Sequence, residues 1–194
     1  MVRLRRRELL WAMAATSSLG CVTGASRLAG AQMPLTVSCD DGDSLTPSQT
    51  EGPFFTPNSP ERWQFREAGI GGTPILLIGL VLTQGCAPIA GALVELWHAN
   101  DAGEYDNQGY HLRGHQFTDD AGLYRFSTIV PGLYPGRTRH FHLKFQAPNQ
   151  RVLTTQFYFP DEPGNERDRL FSPELLLTVS QESELTGRFD VVLG

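Results

Sequence analysis

Short segments in which apolar and polar positions alternate run through most of the chain, and they predict β-strands rather than helices. Turn-forming glycine, proline and aspartate residues separate these segments. No long stretch repeats its apolar positions every 3.6 residues, as an amphipathic helix would. The predicted strands cover residues 75–83, 92–97, 123–128, 140–145, 153–159 and 189–193. The pattern therefore indicates an all-β protein, an antiparallel β-sandwich.

The residues before the first predicted strand carry no such pattern. Between residues 32 and 72 the chain is rich in proline, serine, threonine, glycine and aspartate. Those residues favour turns and irregular backbone, so this segment is predicted to form an extended N-terminal arm with loops. The sequence contains no internal repeat and no sign of a second domain. Residues 32–194 are interpreted as one domain with long loops between its strands.

Residues 1–31 have the features of an export signal. A basic cluster at residues 5–7 precedes an apolar stretch of small residues, and Ala29-Gly30-Ala31 fits the pattern at which signal peptides are cleaved. Paired arginines, one further residue and two apolar ones are typical of twin-arginine signals. We therefore expect an exported protein, periplasmic or extracellular. Lipid attachment at Cys21 is the less favoured interpretation, because Ser18 stands where a large aliphatic residue is expected.

Charge and hydropathy narrow the function classes. The 194-residue chain has a net charge of −5, and removal of the arginine cluster would leave it more acidic still. No basic patch remains to bind nucleic acid, and no apolar stretch is long enough for a stable membrane span. Cys39 and Cys86 lie after the predicted cleavage site. A disulfide between them and two unpaired thiols are both compatible with the sequence.

The segment that begins at Arg137 and contains His140 and His142 carries the first candidate chemistry. Residues two apart in a strand share a face, so the two histidines should point one way and Phe141 and Leu143 the other, into the core. Two imidazoles on one face can converge on a metal ion. Taken alone, the His-x-His pattern fits a pair of surface histidines on an edge strand equally well.

Several side chains are candidates to complete a metal site around this pair. A cupin-type site would use a glutamate a few residues later, but Lys144 occupies that region. His111 and His115 could make a zinc site with the pair, although they lie in a glycine-rich loop, a poor base for structural ligands. The remaining candidates are Tyr105, where an apolar strand opens into a polar loop, and Tyr134, in a tight loop of prolines and glycines.

Two tyrosines with two histidines have a definite chemical meaning. Tyrosinate is a hard, anionic oxygen donor that favours ferric over ferrous iron. The charge of the ion lowers the phenol pKa, so deprotonation near neutral pH is expected. Two tyrosinates and a hydroxide would neutralise Fe(III) and leave a site suited to a dianionic bidentate ligand, such as a catecholate.

An ordered set of motifs extends this picture from about Thr46 to Phe171. The motifs are Thr50-Glu51-Gly52-Pro53-Phe54, Val94-Glu95-Leu96-Trp97-His98-Ala99 with Tyr105, Arg113-Gly114, residues 118–126, residues 131–135, His140-Phe141-His142 and Thr155-Gln156-Phe157-Tyr158-Phe159. With this set the chain resembles the intradiol ring-cleavage dioxygenases, the family that contains catechol, protocatechuate and hydroxyquinol dioxygenases. Each motif alone is weak, whereas the ordered set is specific.

The resemblance implies a ferric enzyme and assigns its residues. Tyr105, Tyr134, His140 and His142 would be the iron ligands. Tyr134 would leave the ion as substrate chelates and act as a base. Arg137 would stabilise negative charge on the activated ring, and Gln156 would line the same pocket. The implied reaction is the cleavage of a catechol-type ring by O2 between its two hydroxylated carbons, which gives a muconate-type diacid.

Two features depart from the family pattern. Thr138-Arg139 stands where many members have Pro-Ala before the first histidine. A counterpart of the helical N-terminal region through which catechol dioxygenases dimerise is not recognisable. These departures leave the catecholic substrate and the oligomeric state undetermined, although the resemblance implies a homo-oligomer.

A second resemblance competes with the first. Residues 85–94, 118–126 and 131–134 are also similar to carboxypeptidase-regulatory-like sandwich modules, which are non-catalytic binding or structural domains. That alternative explains the strand and turn signals, but gives no role to Tyr105, Arg137, Gln156 or the histidine pair. Of the other polar or aromatic features, His98 is expected to be a hydrogen-bonded structural histidine and Trp97 a core residue. Residues 161–169 are interpreted as a solvated loop, which could shape the rim of the pocket because it follows the strand of Gln156.

Overall fold

A computed structural model describes residues 44–194 of the chain. The predicted export signal, its cleavage site, Cys21 and Cys39 lie outside the described residues, so these predictions stay predictions. The described residues belong to one compact unit. Among residues 44–194 there is no helix with the length and apolar composition needed to cross a bilayer.

The described part of the chain is built from β-strands, as the sequence pattern predicted. The strands are β1 (Pro74–Thr83), β2 (Leu93–Trp97), β3 (Arg113–Phe117), β4 (Leu123–Ile129), β5 (His140–Gln146), β6 (Leu153–Tyr158), β7 (Thr178–Gln181), β8 (Leu185–Arg188) and β9 (Val191–Leu193). Two 3-10 helices, Asn165–Arg167 and Pro173–Leu175, lie between β6 and β7.

The strands form two sheets, which confirms the β-sandwich. One sheet has the order β3-β2-β5-β6 and is antiparallel throughout. The other has the order β4-β1-β8-β7, and β9 also pairs with β1. In that sheet β4 and β7 pair antiparallel with their neighbours, but β8 and β9 both run parallel to β1. The sandwich is therefore antiparallel except for two parallel pairings, those of β8 and β9 with β1.

The core lies between the two sheets and follows from the alternation of the strands. In β5, Phe141, Leu143 and Phe145 are fully buried and point into this core. Ile75 and Leu77 of β1 meet them from the opposite sheet. Because side chains alternate along a strand, the same geometry directs His140 and His142 to the outer face of the four-stranded sheet.

The arm before β1 is extended, and it covers parts of both sheets. The Gln49 N–H donates to the Thr154 carbonyl on β6 at 2.8 Å, and the Phe65 N–H donates to the Ser127 carbonyl on β4 at 2.8 Å. Since edge strands carry unpaired backbone groups, these bonds both fix the arm and protect the edges. The predicted arm is confirmed for its described residues.

Three strands were not predicted from the sequence. β3, β7 and β8 are short and carry glycine or polar residues, so their alternation is weak. The interpretation of His115 as a loop residue was therefore wrong, because it lies in β3, where its segment pairs with β2 and with the arm.

Candidate metal centre

A row of side chains crosses the outer face of the four-stranded sheet. Trp97 is opposite His142 in the pairing of β2 with β5, and His142 is opposite Gln156 in the pairing of β5 with β6. Arg113 of β3 is opposite Trp97 and completes the row. All four side chains are buried, although they lie outside the sandwich core. The arm and the loops around β2–β3 and β4–β5 supply this cover.

His140 and His142 meet at one point of this face. Their Nε2 atoms are 3.0 Å apart. The Nδ1 atom of His140 lies 2.6 Å from the Thr138 carbonyl oxygen, and a carbonyl can only accept, so the neutral ring carries its proton on Nδ1. The lone pair of His140 Nε2 therefore faces His142. Within residues 44–194 the buried His142 Nδ1 atom has no hydrogen-bond partner.

Both imidazoles are neutral near pH 7. Burial lowers the pKa of His140 to about 4, with a further lowering from the Arg137 guanidinium. Burial, followed by the neighbouring His140, holds the pKa of His142 well below its usual range. A histidine must be neutral to bind a metal ion, so this pair is ready to donate two nitrogen lone pairs without first losing protons.

Tyr105 brings a phenolic oxygen to the same point. Its hydroxyl oxygen lies 3.4 Å from His140 Nε2. The ring stacks on Phe54 of the arm, with centroids 4.5 Å apart and planes inclined by 18°. Burial raises the pKa of the Tyr105 phenol, while the guanidinium groups of Arg137 and Arg113 act in the opposite direction. A bound cation would favour the phenolate in the same way as these two arginines.

The loops that carry Tyr105 and Tyr134 are packed backbone against backbone. The Gly132 N–H donates to the Asn100 carbonyl at 2.7 Å. A methyl group added to Gly103 would lie 2.2 Å from the Leu133 carbonyl oxygen, so only glycine fits at this contact. Half-buried Tyr134 consequently lies beside Tyr105, with ring centroids 5.9 Å apart.

Arg113 fixes the Tyr105 loop and the arm to the sheet. Its Nε donates to the Asp106 carbonyl at 2.8 Å, and its Nη1 donates to the Phe54 carbonyl. The Asp106 carboxylate in turn accepts three backbone N–H groups of the same loop, those of Gln108, Gly109 and His111. On the other side of Tyr105, the Glu104 N–H donates to Asn100 Oδ1 at 2.9 Å, so hydrogen bonds hold the loop both before and after Tyr105.

Arg137 and Gln156 form a polar wall next to the histidines. The Nη2 atom of Arg137 donates to Gln156 Oε1 at 2.7 Å, and its Nε donates to Asp168 Oδ2 at 2.8 Å. Gln156 donates from Nε2 to the Thr50 carbonyl of the arm at 2.8 Å. Tyr158 adds its hydroxyl, which lies 3.0 Å from Gln156 Oε1.

The arm covers the histidine pair closely. A methyl group built on Gly52 would lie 3.2 Å from His142 Cε1. Next to it, Glu51 pairs with Lys144 at 2.5 Å, and the Lys144 ammonium sits 3.3 Å from the centre of the Phe55 ring. Charge pairing and cation–π contact hold this segment in place, so the aromatic side chain of Phe54 is kept over the two tyrosines.

The other candidate ligands lie elsewhere. His115 contacts Ser59 Oγ through Nδ1 at 3.3 Å, and His111 lies 3.3 Å from Glu67 Oε2 at the surface. Neither is near the histidine pair in these contacts, and residues 44–194 contain no group of three or more histidine, cysteine, aspartate or glutamate side chains able to hold a metal ion. The donors that converge are the two imidazoles and the Tyr105 phenol, and the Tyr134 ring lies beside that of Tyr105.

Two structural interpretations are settled by the contacts. His98 is buried and lies 2.8 Å from the Ala99 carbonyl and 2.7 Å from Thr128 Oγ1, so it is a hydrogen-bonded structural histidine, as predicted. Trp97 is buried, but its ring stacks on His142 with centroids 5.1 Å apart. Its burial is as predicted, but it packs on the outer face of the sheet, against the candidate site, and not within the cluster between the two sheets.

Asp168 is the polar residue that sequence reasoning missed. It lies in the segment of residues 161–169 that was interpreted as a solvated loop, yet it is 8% exposed and binds Arg137. The interpretation was wrong at this position because the segment folds back onto the start of β5. A run of mixed charges gave no signal that one carboxylate would be buried.

Comparisons with known proteins agree with this architecture. A family model described as dioxygenase matches residues 50–190. The chain is 34% identical over 152 residues to the protocatechuate 3,4-dioxygenase beta chain of Burkholderia cepacia, an alignment that covers 63% of this chain and 65% of the relative. It is 28% identical over 150 residues to catechol 1,2-dioxygenase of Acinetobacter baylyi, covering 62% of this chain and 48% of the relative. The chain thus spans about half to two thirds of the length of these relatives.

A solved structure gives a similar match at higher identity. The dioxygenase domain of a dioxygenase carbohydrate-binding protein fusion from Streptomyces sp. SirexAA-E is 49% identical, with a TM-score of 0.75, over 77% of this chain and 98% of that domain. The match to the family model includes all four strands of the sheet that carries the site, β3-β2-β5-β6, and the loops that carry Tyr105 and Tyr134. The chain belongs to the intradiol ring-cleavage dioxygenase family.

Proposed function

We propose that this protein is a ferric intradiol dioxygenase whose iron ligands are Tyr105, Tyr134, His140 and His142. The observation that carries the proposal is the convergence of three donor atoms: the Nε2 atoms of the two histidines, 3.0 Å apart, and the Tyr105 hydroxyl, 3.4 Å from His140 Nε2. Two neutral nitrogens and hard phenolic oxygens suit Fe(III). The second phenol, that of Tyr134, lies beside Tyr105.

Bound ferric iron would supply Lewis acidity, drawing electron density from a catechol-type substrate so that O2 attacks its ring. The protein's own residues would do the rest. Tyr134, which is half-buried, would leave the ion as substrate binds and take the proton from the second substrate hydroxyl. The proposed products are muconate-type diacids that contain both oxygen atoms of O2.

Arg137 would stabilise the negative charge that builds on the ring. A guanidinium held at fixed positions by Asp168 and Gln156 does not have to reorient during the reaction, which is the condition for effective electrostatic stabilisation. Phe54, stacked on Tyr105, would exclude water from the same side. Trp97, stacked on His142, would keep that imidazole in its orientation.

The proposal is tested by the visible absorption spectrum of the purified, iron-loaded protein. Tyrosinate-to-iron charge transfer should colour the resting protein red, and anaerobic addition of catechol should move the band to longer wavelength. Tyr105→Phe and Tyr134→Phe should each weaken or shift the band. Tyr110→Phe is the matched control, because its hydroxyl donates to the Pro57 carbonyl at 3.0 Å, away from the histidines. A colourless wild type that binds no iron would contradict the proposal.

We also propose that the protein is exported. Cys86 is disulfide-bonded, and disulfides persist in oxidising compartments outside the cytosol. Replacing the paired arginines, Arg6 and Arg7, by lysine should retain the precursor in the cytoplasm, while the wild type should appear processed in the periplasm or medium. Unprocessed wild type that stays in the cytoplasmic fraction would contradict export. The homo-oligomer implied by the family resemblance stays a prediction.

A further inference from the structure

Asp168 is a buried carboxylate with more than one partner near the candidate site. Its side chain is 2% exposed, and Oδ2 accepts from both Arg137 Nε and the Thr138 N–H, each at 2.8 Å. Oδ1 accepts from the Leu170 N–H at 2.9 Å. Burial would raise its pKa, but these hydrogen bonds and the arginine hold that pKa below its usual range. The carboxylate is therefore charged and accepts three hydrogen bonds from the protein.

One of these bonds leads to a candidate metal ligand. The Thr138 N–H donates to the Asp168 carboxylate, and the Thr138 carbonyl accepts a hydrogen bond from His140 Nδ1 at 2.6 Å. The carboxylate thus holds the backbone N–H of the residue whose carbonyl oxygen orients the imidazole. Proline has no N–H, so this bond exists because the chain has Thr138 at this position.

The other bond sets the orientation of Arg137. Asp168 holds the Nε edge of the guanidinium, and Gln156 accepts from Nη2 at 2.7 Å. A planar group held at two separated nitrogens cannot rotate. The charge of Asp168 also compensates that of Arg137, which is only 17% exposed in its side chain.

We propose that Asp168 is a positioning residue of the site, one carboxylate that fixes both the guanidinium of Arg137 and, through the backbone of Thr138, the imidazole of His140. The inference rests on the proposed function for its effect on turnover, but its geometry does not. Residues that orient metal ligands from outside the coordination sphere typically change affinity or activity by about 10-fold to 100-fold when replaced.

The test compares Asp168→Asn with Glu162→Gln. Glu162 pairs with Arg139 at 2.6 Å, in the same loop and close to β5, and it contacts neither Arg137 nor Thr138. Both substitutions remove one charge from a similar ion pair while keeping the side-chain size. We expect Asp168→Asn to lower kcat on catechol and iron affinity about 10-fold, and to change the shift of the charge-transfer band on catechol binding. Glu162→Gln should leave all three unchanged.

A double-mutant cycle makes the test independent of iron and of turnover. In the metal-free protein, Asp168→Asn and Arg137→Gln should shift the denaturant midpoint non-additively, because each removes the same contact. Asp168→Glu keeps the negative charge and should recover part of the turnover lost in Asp168→Asn. If Asp168→Asn does not fold, Asp168→Glu is compared with Glu162→Gln instead.

The outcomes separate the two proposals. A coloured, active wild type whose Asp168→Asn variant matches Glu162→Gln in band, affinity and kcat would overturn the positioning role, as would additive midpoints in the cycle. A colourless, inactive wild type would instead overturn the proposed function, while a non-additive cycle would still support the contact between Asp168 and Arg137.

Discussion

Gly52 is the residue of the arm whose replacement should disturb a candidate ligand most directly. It has a φ of +73°, and a methyl group at its Cβ position would lie 3.2 Å from His142 Cε1 and 3.8 Å from His142 Nε2. The preferred distance between carbon atoms is about 3.5–4.0 Å. In Gly52→Ala the His142 imidazole must therefore move by roughly 0.3 Å or more. This shift would change its position relative to the His140 imidazole.

The expected cost has two parts. An alanine in the left-handed region loses about 1–2 kcal/mol of unfolding free energy, wherever it stands. The contact with His142 adds a packing penalty of about 1–3 kcal/mol. Because the contact acts on a candidate ligand, we expect iron affinity to fall about 10-fold, which corresponds to about 1.4 kcal/mol.

Gly91→Ala separates the two parts. Gly91 has a φ of +67°, and an added methyl group would have no neighbour within 4 Å. Both variants should lose similar stability from backbone strain, measured by denaturant unfolding of the metal-free protein, but only Gly52→Ala should lose the packing energy and iron affinity. If Gly52→Ala binds iron and shows the same charge-transfer band as Gly91→Ala, the assignment of His142 as a ligand held under the arm is wrong.

Two further predictions concern stability. Phe157→Ala should lower the unfolding free energy by about 3–5 kcal/mol, since this ring is fully buried and its centroid lies 4.3 Å from that of Phe189. The control Phe117→Ala, at a 51% exposed position, should change the unfolding free energy by about 0.5 kcal/mol or less. Equal losses in the two variants would contradict the core assignment of Phe157. Burial lowers the pKa of His98 from 6.5 to about 3, so below pH 6.5 the unfolded chain takes up a proton that the folded protein does not. The free energy of unfolding should therefore decrease as the pH is lowered from 6.5 towards 3, by up to about 1.4 kcal/mol per pH unit from this residue. His98→Gln should reduce this slope of stability against pH; an unchanged slope would contradict a neutral, buried His98.

The fold was predictable wherever alternation was strong. In β5 the apolar residues Phe141 and Leu143 sit between polar neighbours, and the structure buries them in the core as expected. β3 could not be predicted, because Gly114 and His115 interrupt any apolar period and the strand is fixed by its partners in β2 and the arm. Such pairing is non-local, so it leaves little trace in the strand's own sequence.

The candidate site was also predictable only in part. Strand alternation alone placed His140 and His142 on one face, and the structure brings their Nε2 atoms to 3.0 Å. The contact of Asp168 with Arg137 joins residues separated by 31 positions through an irregular segment. The support of His142 by Trp97 follows from the pairing of β2 with β5, two strands that are not consecutive in the sequence.

The most direct test of the account is the fate of isotopically labelled dioxygen. Iron-loaded protein is supplied with catechol and labelled O2, and the product is analysed by mass spectrometry. The expected product is a muconate-type diacid, opened between the two hydroxylated carbons, that carries both labelled atoms. Arg137→Gln and His142→Ala should lose this product. An intact ring, a product opened beside the hydroxylated carbons, or a diacid without both labels would contradict the claim that this protein is an intradiol dioxygenase.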